Sequence, residues 1–552
     1  MTDVLVVGAG PAGLMAATES ARKGLRVSVV DKGIIGNDCS AVGAKQIAGS
    51  GYWSEDDNYK RHLEDTLISG CHINDIELTS LFTKKVGTAI SRMEEMGMPF
   101  TRNSDGTAPD VSGNAPGHSR GRSLRFSDVT GKLLVDTLLE RCRCAGIALY
   151  SETPAIELVK SEDGICGVIV LDYKKGALLF IRAKAVILAT GGLGRMYNLT
   201  SNPMQITGDG VALAIRAGAS VADMEFVQFY PVTVIAPVSI RGMNLNCQYY
   251  GAKLINTKGE RFMAKYFPEQ LEATTRDKLA RSIAQEIRQG NGTSNGGVYI
   301  DATALSPELY KQKIPTEWNL AIKAGIDPTK QLIEIAPAAH YFMGGISIDI
   351  AGKTSIPHLF AAGECCAGIQ GANRLANNGL AEAITFGLLV GEAAANYAKD
   401  ENFARCSDNY IESKIQYIMA DFDPNGWSPC DLSKKVRQIV SENLGVLRDA
   451  HGLEKAKEDL EQLCPAKTKH RFGIPCDPEA MEYIGAKNML TNARIIAYSA
   501  FTRQESRGAH YRLDYPVQDD NHWLANLIVH EDESGRIYSE KSLTGTKGPR
   551  EW

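Results

Sequence analysis

Residues 3 to 33, DVLVVGAGPAGLMAATESARKGLRVSVVDKG, constrain this chain more than any other stretch. An apolar run, VLVV, ends in Gly8-x-Gly10-x-x-Gly13, a helical pattern follows, and a second apolar run ends at Asp31. Strand, glycine turn, helix and strand open a βαβ unit, and in that context the glycine spacing is a dinucleotide-binding fingerprint. Gly8 permits the tight turn, Gly10 lets a pyrophosphate approach the backbone, and Gly13 lets the helix pack on the strand. The helix then turns its positive end toward the phosphates. Asp31 stands at the spacing of a carboxylate that holds a ribose hydroxyl.

Composition narrows the class. With 44% apolar and 23% charged residues, the 552-residue chain reads as globular, and its formal net charge of -5 gives no sign of nucleic-acid binding. Twelve cysteines are scattered, with Cys365 and Cys366 adjacent and one residue between Cys142 and Cys144. No C-x-x-C pair occurs, so no metal or iron–sulfur site is expected; free thiols fit a reducing, cytoplasmic setting. MTDVLVVGAG runs straight into a strand pattern, so no signal peptide is expected. The longest apolar stretch, 380–398, carries Glu382 and Glu392 and reads as a buried helix, with no membrane span.

Two later segments return to the nucleotide fold. AKAVILATGGLG (183–194) is an apolar strand ending in Ala-Thr-Gly-Gly, and HLFAAGECC (358–366) is a short strand ending in Gly-Glu. Strands so far apart imply a large insertion. The pattern resembles FAD-binding proteins of the glutathione-reductase-like superfamily, which makes FAD the expected cofactor.

The stretches MEFVQFYP (224–231), GAKLINTKGERFM (251–263), TTRDKLARSI (274–283), PAAHYFMGGI (337–346), AAGECCAGIQGANRLANNGLAEA (361–383) and ESRGAHYRLDYP (505–516) point further. Together they resemble the flavoprotein subunits of fumarate reductase and succinate dehydrogenase, with L-aspartate oxidase as a relative. The resemblance runs from residue 2 to about 516. It implies an α/β fold: a Rossmann-like FAD-binding domain (1–225 and 346–404) split by an α+β capping domain (226–345), then a C-terminal helical domain (405–516). Helical periodicity with breaks at Pro424, Pro429 and Pro465 fits the last part. Residues 517–552 are polar and read as a peripheral tail.

Some members attach FAD covalently through a histidine in a S-H-T-x-x-A-Q-G-G stretch. The corresponding DCSAVGAKQIAGSG (38–51) has no histidine, so FAD is expected to be non-covalent. The residues expected to hold it are Gly8, Gly10, Ala12, Gly13, Asp31, Lys32, Ser40, Ala41, Gly43, Thr190, Gly191, Asp209, Glu364, Asn378 and Leu380. Glu364 is expected near the adenosine ribose.

The resemblance also gives roles to three catalytic candidates. His340 and Arg374 match the family's clamp on one substrate carboxylate, which suits a guanidinium fork. Arg276, from TTRD, matches the arginine that exchanges a proton with the substrate α carbon. A guanidinium is a poor acid, so a relay is expected, with Asp277 and Glu272 as candidates. The implied reaction is hydride transfer between flavin N5 and the β carbon of an enoate. A small carboxylic-acid substrate follows from the same resemblance, which also favours an iron–sulfur electron-transfer partner subunit over a soluble donor, with homo- and hetero-oligomers both open and any membrane association through a partner.

The distal substrate pocket departs from the family. Tyr230 takes the place of a histidine in E-F-x-Q-x-H-P, Asn244 and Leu245 replace a Thr-Glu pair, and Gln248 replaces an arginine. Two expectations remain open: an ordinary fumarate or succinate enzyme, or a reductase of another enoate such as an aryl-acrylate. An L-aspartate-oxidase-like flavin oxidase is the further alternative.

Overall fold

The computed structural model describes residues 1–53, 56–111, 115–464 and 466–543. Its centre is a seven-stranded sheet. Thr2–Val7 lies between Val27–Val30 and the C-terminal half of Ala177–Leu188, parallel to both. Ala148–Tyr150 extends the parallel part on one side and Leu359–Ala361 on the other. Helices cover such strands on both faces, which is why Val4, Leu5 and Val6 form an unbroken apolar run and are fully buried. The N-terminal half of Ala177–Leu188 leaves this layer and pairs antiparallel with Gly164–Asp172, which pairs with Ala155–Ser161.

Two helices meet on one face of the sheet. Pro11–Arg22 packs against Asn378–Asp400 through small residues. A Cβ on Gly387 would lie 2.6 Å from the Ala12 carbonyl, and one on Gly391 would lie 2.6 Å from the Ala16 carbonyl. Among the described residues no helix is long and apolar enough to cross a membrane.

A long excursion separates Ala177–Leu188 from Leu359–Ala361. It holds a four-stranded sheet in the order Val227–Ala236, Ile333–Phe342, Val298–Asp301, Lys253–Ile255. The helix Arg276–Glu286 packs on it, and a second apolar cluster that includes Val232, Leu254, Leu279 and Ile300 forms its core. The two longest strands reach back into the main core, where Val227, Phe229, Ala339 and Phe342 are buried. The root of this sheet is therefore fixed against the parallel sheet, and His340 sits at that root.

Helices Pro429–Asn443, Ala450–Leu463 and Pro478–Thr502 form a further layer whose apolar faces join the main core. Pro429 begins its helix at the first position, where its missing N–H is harmless, and Pro424 lies in the short strand Phe422–Trp427. Pro465 lies outside the described residues.

The expected peripheral tail is corrected. Residues Ala525–Glu531 and Ile537–Leu543 form a hairpin, and Ile528 and Val529 pair with Val221–Ala222 beside the main sheet. Ala525, Leu527 and Val529 are buried while their neighbours are less so. Composition hid this alternation of period two, which marks a half-buried strand. Residues 544–552 are outside the described part.

Candidate active site

One cleft lies where the parallel strands end, with about 1860 Å³ of empty space when the open solvent at its mouth is included. The glycine turn forms one end. Gly8 has φ +105°, and a Cβ there would lie 2.3 Å from the Ala189 carbonyl oxygen. A Cβ on Gly13 would lie 1.9 Å from the Gly8 oxygen, whereas one on Gly10 would meet nothing within 4 Å. Gly10 is thus the open position, facing the cleft at the start of Pro11–Arg22 with no side chain capping the helix. The uncapped N–H groups and the helix dipole make an anion site there.

The Asp31 carboxylate is pinned by the backbone N–H groups of Ala9 and Gly33, each at 2.7 Å. Burial raises its pKa. Lys32 donates to the Thr207 hydroxyl at 2.7 Å and lies 3.2 Å from Asp209, so these polar residues are paired with each other beside the cleft. Gly8, Gly10, Ala12, Asp31, Lys32, Ser40, Gly43, Thr190, Gly191, Asp209, Glu364 and Leu380 all line it. Three expected cofactor residues do not. Gly13 is used in packing, and Ala41 donates its N–H to the Asp38 cap. Asn378 points away, bonded to His62 at 2.9 Å and Thr66 at 3.1 Å, while its neighbour Asn377 lines the cleft.

Glu364 is also placed differently. Its Oε1 accepts from the Phe342 N–H at 3.2 Å, and a Cβ on Gly192 would fall 2.1 Å from it. Arg374 is among the charges acting on it. It therefore stands toward the His340–Arg374 end rather than the Asp31 end, because the chain leaving Leu359–Ala361 turns toward the strand Ile333–Phe342. Burial pushes its pKa up to about 8, with the Phe342 N–H and Arg374 opposing.

At the other end His340, Arg276, Arg374, Tyr230 and Asn244 share the cleft. His340 Nδ1 lies 2.8 Å from the Ser201 hydroxyl, and its ring meets the Tyr230 ring edge-on with centroids 5.3 Å apart. Burial, then Arg374 and Arg276, hold its pKa well below the ordinary histidine value. Arg374 donates to Gln228 Oε1 at 3.1 Å and stacks over the Tyr341 ring at 4.4 Å. Burial and the neighbouring Arg276 lower its pKa to about 10.

Arg276 is the first residue of its helix, at the positive end of the dipole, where local rules favour an acid. Its guanidinium lies 5.1 Å from the Tyr230 ring centroid. Buried Nε and Nη1 of Arg276 and Nε of Arg374 have no hydrogen-bond partner among the described residues. Two neighbouring guanidinium groups with idle buried donors favour an anion between them.

The expected relay acids serve other partners. Asp277 pairs with Arg281 at 2.8 Å, and Glu272 pairs with Arg261 and accepts from the Leu254 N–H at 3.0 Å. Two expected substrate residues also fail to reach the cleft. Leu245 is in the core of the excursion, and Gln248 donates weakly to the Tyr230 hydroxyl at 3.4 Å while its Oε1 is unpartnered among the described residues. The Thr233–Asn244 bridge explains this. It sets an extended chain, so Asn244 and Asn246 face one side and Leu245 the other.

Asn246, Lys45, Gln46 and Ser201 line the reaction end without having been singled out in the sequence. Alternation from Asn244 would have found Asn246. Ser201 lies in a polar turn-rich run, TSNPMQITGDG, and Lys45 is the lone charge among small residues; neither signal is specific.

Residues 3–380 match the family model described as "FAD binding domain", and residues 433–546 match "Fumarate reductase flavoprotein C-term". One of the subunits of the fumarate reductase (CoM/CoB) of Methanothermobacter marburgensis is 34% identical over 96% of each chain. An L-aspartate oxidase of Caulobacter vibrioides is 33% identical over 93% of this chain and 94% of that one. Among solved structures, the flavoprotein FrdA of Escherichia coli quinol fumarate reductase, in a mutant form, superposes with a TM-score of 0.92 at 29% identity, covering 99% and 97% of the two chains. The open Gly10 position, the uncapped helix start and the pinned Asp31 carboxylate fit the dinucleotide part of FAD. The chain belongs to the FAD-dependent oxidoreductase family of fumarate reductase and succinate dehydrogenase flavoproteins, to which L-aspartate oxidases are related.

Proposed function

We propose that the chain interconverts an enoate and its saturated acid at a FAD held without a covalent bond. The observation that supports this most is the pair of arginines, half-buried Arg276 and buried Arg374, whose buried, unpartnered donors share one cleft with His340 and the glycine turn. When bound, FAD supplies the hydride acceptor and donor.

The residues do the rest. The Ser201 hydroxyl lies at Nδ1, and the tautomer of neutral His340 with its proton on Nε2, which accepts from Ser201, is the one that can donate to a carboxylate. Arg374 adds a charge-assisted bond to the same carboxylate, held in place by Gln228 and the Tyr341 ring. Together they polarise the double bond and stabilise the negative charge that builds on the carboxylate side. Arg276 gives a proton to the α carbon as the β carbon gains a hydride, so the product is the saturated acid. Tyr230 under Arg276 excludes water from that step.

Electrons reach the site from an iron–sulfur partner subunit in this reading; relatives named as flavoprotein subunits support it. The test is oxidation of a reduced viologen by the holoenzyme across a panel of 2-enoates that includes fumarate. Rapid reoxidation with at least one enoate, lost in Arg276→Lys, is expected. No reoxidation with any enoate, together with hydrogen peroxide formed from L-aspartate in air, would establish the oxidase reading that the aspartate oxidase relatives favour. Acid precipitation should release the flavin into the supernatant; flavin left on the denatured chain would refute non-covalent binding.

A further inference from the structure

The residues expected to read the far end of the substrate are largely occupied with each other. The Tyr230 hydroxyl lies 2.9 Å from both the Leu245 carbonyl and Asn246 Oδ1, and burial keeps it a phenol. Asn244 Oδ1 accepts from Thr233 at 2.7 Å. Asn246 donates its side-chain amide to Glu317 Oε1 and its backbone N–H to Glu317 Oε2 at 2.9 Å. Each of these acceptors already has a partner within the protein. Asn244 Nδ2 has no partner among the described residues.

Lys45 completes the wall from the other side of the seam. Its Nζ lies 2.6 Å from the same Glu317 oxygen that Asn246 holds, so ammonium and amide stand side by side. Glu317 is 2% exposed and does not line the cleft, whereas Lys45 does. An ammonium has three donors and Glu317 takes one. The Lys45 backbone is anchored as well: Thr130 donates to its carbonyl at 2.6 Å and the Gly131 N–H to the Ala44 carbonyl at 2.8 Å. Gly131 allows this approach, since a Cβ there would lie 2.0 Å from the Ser40 oxygen.

We propose that Lys45, held by Glu317, is the specificity-determining cation for the distal end of the substrate, and that it selects an enoate carrying a second carboxylate over one with an uncharged end. The inference rests on the His340–Arg374 clamp taking the first carboxylate. A wall whose acceptors are already engaged within the protein, and whose free donors include a charged one, recognises an anionic acceptor. Glu317 offsets part of the charge, so the selectivity is moderate. Because Lys45 comes from the sheet domain and Asn244, Asn246 and Glu317 from the excursion, the subsite exists only where the two meet.

The test uses the holoenzyme with fumarate and crotonate, in which a methyl replaces the second carboxylate. Flavin-difference titrations with succinate and butyrate measure binding without turnover. The wild type should prefer the dicarboxylates. Lys45→Met should weaken fumarate and succinate about thirtyfold while crotonate and butyrate change by no more than about threefold. Lys45→Arg, which keeps the charge, should recover part of the preference. A wild type without preference, or a Lys45→Met variant that shifts all four ligands alike or moves the flavin midpoint potential instead, overturns the proposal. Arg374→Met separates the underlying reading: it should weaken succinate and butyrate equally, and if it changes neither, the clamp itself has failed.

Discussion

The two walls at the reaction end of the cleft are built on opposite principles. Around His340, Arg276 and Arg374, buried donors are left idle, and two guanidinium groups repel each other. Around Tyr230, Asn244 and Asn246, most hydrogen-bonding atoms already have partners inside the protein. An unpartnered buried donor raises the free energy of the empty site, so a ligand that satisfies it gains the most there. A satisfied wall offers shape and a few remaining donors. The first wall should therefore carry affinity and rate, and the second should carry selectivity.

The sharpest way to break this contrast is Arg276→Lys. Lysine keeps the charge but loses the fork, and turnover should fall about a thousandfold with FAD content and substrate affinity nearly unchanged. Near-normal turnover in steady-state assays would remove Arg276 from the chemistry. The next largest effect is expected at Arg374. Its replacement by methionine should lower kcat/KM about a hundredfold or more for every carboxylic substrate alike, because the carboxylate loses a buried charge-assisted bond. A loss confined to one substrate would mean that Arg374 reads the wrong end.

Leu245→Glu probes the boundary of the second wall. Leu245 is 1% exposed within the apolar core of the excursion. A carboxylate there should destabilise the protein by about 3 kcal/mol or more, seen as a lower Tm or urea midpoint, without a new substrate preference. Intact stability with a shift in substrate would place residue 245 in the cleft after all. Asn244→Ala should do less: about a threefold to tenfold loss for substrates with a polar distal group, and little for others. Equal losses for all substrates would make Asn244 a scaffold residue.

The smallest expectation is a flat line. His340 is held neutral well below its ordinary pKa by burial and by two cations. A group already deprotonated on both sides of pH 6.5 contributes no step there. Succinate affinity, followed by flavin difference spectra, should show no inflection near that pH. Affinity that rises as pH falls through 6.5, and no longer does so in His340→Gln, would show that His340 takes up a proton when the carboxylate binds.

Much of this was legible in the chain itself. Residues 3–33 are contiguous, and their turn, helix start and acidic strand end follow from local sterics: Gly8 at φ +105° and Gly13 beneath the helix admit no side chain. That His340, Arg276 and Arg374 belong to one cleft was legible as well, but only through the motifs around them. The alternation of Ala525, Leu527 and Val529 was present in the sequence, though polar composition masked it. Tertiary structure alone decided which way Leu245 turns, because the Thr233–Asn244 bridge sets that register from another strand. It alone decided that Asp277 and Glu272 serve Arg281 and Arg261, and that Glu364 stands toward the reaction end. It also brought Lys45 to Glu317 across 272 residues of chain. A local pattern fixes backbone shape because its forces act over a few bonds; which charges meet depends on how separate layers dock, and no single segment carries that information.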